Sequence, residues 1–396
     1  MNTYYIAYSL IEEQGSANQI QTKNTFLGLE HIFSGIRGIF LGNKRSLSWK
    51  IRKVNNTYFV DKAHFKMGIL EKYFKIGIIR KNFFPYLFAR RSGQLLQKDK
   101  NAKNIYIRQG DINEFLFYLK RLDVLAINKI VFEFHNLHFN VPHFYHWGFE
   151  KAYSYKKHAE FFHLLERNQK RAAVVTLTRS LAEAIKSEFN YTGHIEIIPD
   201  AHNFPTQKPK DIHFGQHKIE LIYTGLNFKN RGVQMLIGAM DFLPDRFYLR
   251  LVGGQLLQRQ EIEKNYSGLI KQGRLLIVPP IGHSKIKEMI LGADMAILPT
   301  PSAGFASFTS PLKLFEYMAA GMPIIASDTK SFREILSKES ALFFKENDSR
   351  DLADKIKYLS ANERLAQTMG HAAFLESDNH TYAKRAEKIS RLLSPI

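Results

Sequence analysis

Ser310-Pro311-Leu312-Lys313-Leu314-Phe315-Glu316-Tyr317-Met318-Ala319-Ala320-Gly321-Met322-Pro323-Ile324-Ile325-Ala326-Ser327-Asp328 reads as a loop, a short helix, a glycine stop and a buried strand. Pro311 suits the first turn of a helix, where its missing N–H costs nothing. Leu312, Phe315, Met318 and Ala319 recur at helical spacing on one apolar face. Gly321 supplies a left-handed C-cap and Pro323 blocks continuation. Ile324-Ile325-Ala326 is the apolar run of a parallel strand covered on both faces. Lys313 and Glu316 are three apart and share the polar side of the helix. A helix N-terminus carries free N–H groups and partial positive charge, so with a first-turn lysine it forms a seat for a diphosphate. One turn on, a carboxylate can accept hydrogen bonds from a ribose diol.

Before this stretch, strands alternate with helices. Tyr4 to Leu10, residues 38–41, Asn104 to Arg108, Lys129 to Phe134, Ala172 to Leu177 and Ile195 to Ile198 read as strands. Residues 50–100 are expected to be mostly helical and basic, with breaks near Asn55 and Pro85. A polar stretch at 204–217, with Pro205, Pro209 and Gly215, reads as a linker. The alternation restarts with strands at Ile219 to Tyr223, Phe247 to Val252, Leu275 to Val278 and Met295 to Leu298. The tail from Asp351 is expected to be helical. This is the pattern of two doubly wound parallel sheets, which bind ligands at the carboxyl ends of their strands.

Length and composition fit that plan. The 396 residues suffice for two domains, and 45% hydrophobic with 23% charged residues is globular composition. Cysteine is absent, so disulfide and thiolate chemistry are excluded. The first residues lack a basic stretch followed by an apolar one, so no signal peptide is expected, and no run is long enough for a membrane-spanning helix. The net charge is +19, with 30 Lys and Arg against 17 Asp and Glu in residues 1–200 and 26 against 20 in the rest. Between Lys50 and Arg91 basic residues alternate with aromatics such as Tyr58, Phe65, Tyr73 and Phe84. Nucleic acid, anionic lipid, an anionic small substrate or a plain solvated basic face would each account for this surface.

The motif S-P-x-K-L-F-E-Y-M-A-x-G-x-P-I-x-A-S-D resembles the donor-site segment of the group 1 retaining glycosyltransferases, a family with the GT-B fold. The resemblance implies two Rossmann-like doubly wound domains facing a central cleft. Residues 1–204 would form the N-terminal acceptor domain and 205–375 the sugar-nucleotide domain. Residues 376–396 would be a helix packing back on the first domain. Tyr223-Thr224-Gly225-Leu226-Asn227-Phe228-Lys229-Asn230-Arg231-Gly232 is similar to the family's G-R-x-x-x-x-K-G turn, with Leu226 in place of the arginine and Arg231 in place of the lysine. A solvated basic loop is the alternative there. The second glutamate of the family's spaced pair matches Glu316, whereas the first falls on Phe308. Backbone amides from Gly304 to Ser310 are the expected substitutes. Gly15-Ser16 stands in place of the family's glycine loop, although a plain turn fits as well. Val131-Phe132-Glu133-Phe134-His135-Asn136 matches the strand ending in a cleft histidine, with a structural histidine as the alternative.

From the resemblance, Arg231 and Lys313 would stabilise the leaving diphosphate, Glu316 would hold the ribose and His135 would position the sugar. Gly15, Gly225, Ser310 and Leu312 would complete the donor site. The acceptor would attack on the face from which the diphosphate leaves, and the diphosphate would take the proton. His135, His138, His143 and His146 invite a metal reading, but no carboxylate or cysteine partners are suitably spaced. Neither metal nor cofactor is expected. The expected partners are a nucleoside-diphosphate sugar, a saccharide or lipid-linked acceptor, and an anionic membrane touched from the cytoplasmic side, with no nucleic acid. Nucleotide-sugar epimerisation is the alternative reaction and nucleic-acid binding the alternative class. Nucleotide-sugar turnover separates the first from transfer, and salt-dependent DNA binding would favour the second.

Overall fold

A computed structural model describes residues 2–7, 9, 17–46, 50–63, 77–108, 111–137, 148–204, 208–215, 218–229, 231–301, 308 and 310–394. The chain divides into two compact units, Met1–Pro199 with Tyr382–Ile396, and Asp200–Thr381. The crossing points lie a few residues from the 204/205 and 375/376 boundaries expected above.

The first unit is built on an eight-stranded sheet of β1 (Asn2–Ala7), β2 (Arg37–Ser46), β3 (Lys50–Val54), β4 (Thr57–Ala63), β5 (Ala102–Arg108), β6 (Lys129–Phe134), β7 (Ala172–Thr176) and β8 (Ile195–Ile197). The spatial order is β3-β4-β2-β1-β5-β6-β7-β8. Neighbours pair in parallel except β3 with β4, which are antiparallel. That hairpin corrects the expectation of helix over residues 50–63. Lys50-Ile51-Arg52-Lys53-Val54 pairs antiparallel with Thr57-Tyr58-Phe59-Val60-Asp61, and Asn55 takes φ 51° at the turn. The basic residues give β3 no apolar alternation from which a strand could be read. Pro85 lies inside a helix, Gly77–Lys98, instead of breaking it. One face of the sheet buries Tyr5, Phe40, Tyr106, Val131 and Val175 against Phe26 of the Ala17–Ile32 helix and Ala386, Ile389 and Leu393 of the Tyr382–Leu393 helix. The two helices approach closely at Gly28, where a Cβ would stand 3.2 Å from that of Ala386. The C-terminal helix is thus part of the first unit's core.

The second unit holds a six-stranded parallel sheet of β9 (Ile219–Gly225), β10 (Phe247–Gly253), β11 (Leu275–Val278), β12 (Met295–Leu298), β13 (Ile324–Ser327) and β14 (Ala341–Phe344). Its order is β11-β10-β9-β12-β13-β14. Alternate residues serve two cores. Leu221, Tyr223, Leu251 and Ile297 face one, while Ile222, Val252, Ala296 and Leu298 face the other. The Leu312–Ala319 helix ends as its sequence dictates. Gly321 has φ 65°, its N–H donates to the Met318 carbonyl, and the Met322 N–H donates to the Tyr317 carbonyl. Pro311 stands one residue earlier than expected, in extended conformation at the N-cap. β14 was not among the expected strands.

Candidate active site

In the second unit, β9 delivers Tyr223, Thr224 and Gly225 to the carboxyl edge of the sheet. The chain then turns back through Arg231 and Gly232 into the Val233–Ala239 helix. Gly232 has φ 74°, and a Cβ there would collide with the carbonyl oxygen of Pro299, at the end of β12. No other residue fits both constraints. The turn that carries Arg231 is therefore held against the neighbouring strand.

The Leu312–Ala319 helix brings Lys313 to the same place. Its Nζ lies 3.7 Å from the centroid of the Tyr223 ring and 2.9 Å from where a Cβ on Gly225 would be. Cation–π attraction holds the ammonium there, and the missing side chain at 225 makes room for it. Burial, and secondarily the charge of Arg231, push the Lys313 ammonium well below its ordinary value, while Glu316 acts in the opposite sense. Two cations and few solvent contacts make this a place that an anion would stabilise. The Tyr223 hydroxyl is buried without a hydrogen-bond partner among the described residues. The Tyr317 hydroxyl accepts the Thr224 N–H at 2.9 Å, tying the helix to the end of β9.

Glu316 is buried, with a side chain 6% exposed, and pairs with His283 Nε2. His283 opens the His283–Gly292 helix that follows β11. Ser310 Oγ accepts the Asp200 N–H at 3.1 Å, and Leu312 is buried. Gly225, Arg231, Ser310, Leu312, Lys313 and Glu316 thus gather around one helix and one strand end. Leu226 is exposed beside them, as is Lys229, whose backbone N–H bonds Asn227 Oδ1. Phe308 is half-buried. Of the backbone expected to replace the first glutamate, 304–307 and 309 lie outside the described residues. Asp328 forms a two-pronged ion pair with Arg333 at 2.7 and 3.0 Å.

In the first unit, β6 ends on Glu133, Phe134 and His135. Glu133 is fully buried and bonded from several sides. His135 Nε2 meets Oε1 at 2.5 Å, Arg108 Nε lies 3.4 Å from Oε1, and Arg385 Nη2 and the Tyr106 hydroxyl reach Oε2. Burial works to raise the Glu133 carboxyl. The charge of Arg385, the His135 bond and the charge of Arg108 outweigh it and hold the group below the ordinary carboxylate range. Arg385 also donates to the carbonyls of Ile198 and Pro199. His135 therefore sits on an anchored carboxylate rather than at a free strand end. Gly15, His138, His143 and His146 lie outside the described residues. Among the described residues, no group of three or more His, Asp or Glu is placed to hold a metal ion.

Arg108, His283 and Arg385 belong to no recognisable sequence motif. Arg385 reaches Glu133 across 252 positions of chain and His283 reaches Glu316 across 33, so no local pattern announces either.

Residues 206–375 match the family model described as glycosyl transferases group 1. No curated protein matches the chain in sequence. Among solved structures, sucrose-phosphate synthase from Thermosynechococcus elongatus is similar at TM-score 0.71 and 14% identity, over 99% of this chain and 98% of that one. HepE from Anabaena, solved with UDP-glucose, is similar at TM-score 0.65 and 13% identity over 100% of both chains. WaaG, a glycosyltransferase involved in lipopolysaccharide biosynthesis, is similar at TM-score 0.60 and 13% identity, again over 100% of both chains. The fold shared with these glycosyltransferases is GT-B.

Proposed function

We propose, from the match of residues 206–375 to the glycosyl transferases group 1, that this chain moves a hexose, with retention, from a nucleoside-diphosphate sugar to an acceptor hydroxyl, without a metal ion. The observation that carries the reading is the convergence of Arg231, Lys313 and Glu316 at the carboxyl end of β9. The leaving group is a diphosphate, so catalysis is mainly electrostatic. Positive groups already in place need no reorganisation as charge develops. Lys313, held in a desolvated position beside Arg231, gains from an arriving diphosphate what burial takes from it. Glu316 accepts from the ribose diol, His135 positions the sugar, and Gly225 and Ser310 line the donor. The acceptor attacks on the face the diphosphate vacates, and the departing diphosphate takes the acceptor proton.

The acceptor we propose is a saccharide or a lipid-linked glycan of cell-surface polysaccharide or glycolipid assembly, met at an anionic membrane. The excess positive charge of residues 1–200 and the aromatic residues among it support this reading. Among the described residues no helix is long and apolar enough to cross a membrane, so the proposed contact is peripheral. A thermal-shift screen against UDP-, GDP-, ADP- and dTDP-sugars tests the donor class, since bound ligand raises the melting temperature by mass action. Proton NMR of the product made from the stabilising donor then reads the anomeric configuration. No shift with any sugar nucleotide would overturn the donor reading. An inverted anomer, or loss of activity in chelator restored by one divalent ion, would overturn the proposed mechanism.

A further inference from the structure

Glu316 is nearly enclosed, and its side chain accepts one hydrogen bond among the described residues, from His283. A buried carboxylate must be paired or strongly hydrogen-bonded. Here the pairing group is an imidazole 24% exposed, set at the first position of its helix. β11 runs parallel to β10, and β10 to β9, so the carboxyl ends of β11 and β9 lie on the same edge of the sheet. His283 thus approaches Glu316 from the ligand edge, not from the core. The bond reaches Oε1, and Oε2 has no hydrogen bond among the described residues. The Glu316 charge also acts on Lys313, Lys287 and His202, so one acid sits within a basic surround. Lys287 is itself engaged by Asn203, at 3.1 and 3.2 Å.

We propose that His283 is a specificity-determining positioning residue of the donor site, locking Glu316 through Oε1 so that Oε2 is presented to the hydroxyls of a ribose. This rests on the reading of Glu316 as the ribose acceptor. A free carboxylate side chain samples several rotamers and can turn toward Lys313 instead. With Oε1 held, only one oxygen is offered, in one direction, and a ribose lacking a hydroxyl leaves it unpaired. His283 therefore contributes to discrimination between ribose and deoxyribose without touching the reacting atoms.

Isothermal titration of UDP, GDP and ADP, each with its 2′-deoxy and 3′-deoxy counterparts, tests this on the full chain. Wild type is expected to bind one ribonucleoside diphosphate about tenfold or more above a deoxy counterpart, the loss typical of a hydrogen bond to a charged group. His283→Ala should bring the two affinities to within about threefold. His283→Gln, whose amide N–H replaces Nε2–H, should restore most of the preference. A ratio on one protein is insensitive to the folded fraction, so misfolding does not imitate the result. If His283→Ala keeps the preference while Glu316→Gln abolishes it, the ribose reading stands and the role of His283 falls. The proposal also falls if glutamine fails to restore what alanine removes. If both variants keep the preference, or wild type shows none, the ribose reading fails and the proposal with it.

Discussion

Lys313 stands over an aromatic ring, beside a glycine that cannot crowd it and next to a second cation. This is a costly arrangement in the absence of an anion. Lys313→Ala and Arg231→Ala are each expected to lower turnover about 10²–10³-fold, the loss typical of one charge-stabilising group, with unchanged circular dichroism. Near-normal turnover in both would remove the proposed diphosphate site. A second residue carries a pH signature. Glu114 is fully buried in the Ile112–Leu119 helix, and neither carboxylate oxygen has a hydrogen bond among the described residues. Burial, with the nearby Asp111 charge, pushes its carboxyl well up. The folded state keeps this proton while the unfolded chain releases it above about pH 4.3. The penalty is therefore absent below that value and grows as pH rises. Glu114→Met is expected to raise the melting temperature by roughly a few degrees at pH 7 and by much less at pH 4. An equal gain at both values would place the effect in packing instead.

At the scale of elements, the site depends on turns that lock strand ends to helix starts. Gly232 is the test position, since a side chain there meets both a left-handed backbone and the Pro299 carbonyl. Gly232→Ala is expected to cost more than the ~1 kcal/mol of an ordinary glycine-to-alanine mismatch and to displace Arg231. Urea unfolding and donor titration should both register it; a variant with wild-type midpoint and affinity would show that the turn tolerates another path. The helix at 312–319 and its glycine stop were legible in advance because caps and periodicity are local. The hairpin of β3 and β4 was not, since Lys50, Arg52 and Lys53 leave β3 without apolar alternation, and its strand form follows only from pairing with β4, itself paired with β2.

At the scale of the whole molecule, the chain leaves its first unit at Pro199 and returns at Tyr382. Arg385 joins the two ends by binding the Ile198 and Pro199 carbonyls and Glu133. Arg385→Ala would leave Glu133 short of its main countercharge, at a cost of about 3–5 kcal/mol. The sign with pH is opposite to that of Glu114. The Glu133 carboxyl is held low, so its contribution is fully present above the unfolded value near ~4.3 and is lost as pH falls through the folded value. The gap in urea midpoint between wild type and variant should therefore be smaller at about pH 2.5 than at pH 7; a constant gap would argue against the charge account. The surplus positive charge is also a property of the whole. Flotation with anionic vesicles is expected at low salt and to weaken at moderate salt, each basic residue near the surface contributing about 1 kcal/mol. Equal partition to neutral vesicles, or none to either, would leave the membrane reading without support.

The alternation of strands and helices and the helix that ends at Gly321 were readable from the chain, and the candidate residues from Gly225 to Glu316, whose donor role is proposed, were named from the same segments. Each rests on spacing within one or two turns of backbone, where propensity, capping and apolar period act directly. The pairing of Glu133 with Arg108 and Arg385, and of Glu316 with His283, was not readable. Those contacts join positions far apart in the chain, and a buried ion pair forms only where the fold has removed water from both partners. His135 and Glu316 were recognisable as residues. Their supports came from strand order and helix return, because electrostatic surroundings belong to the packed molecule and not to any segment of it.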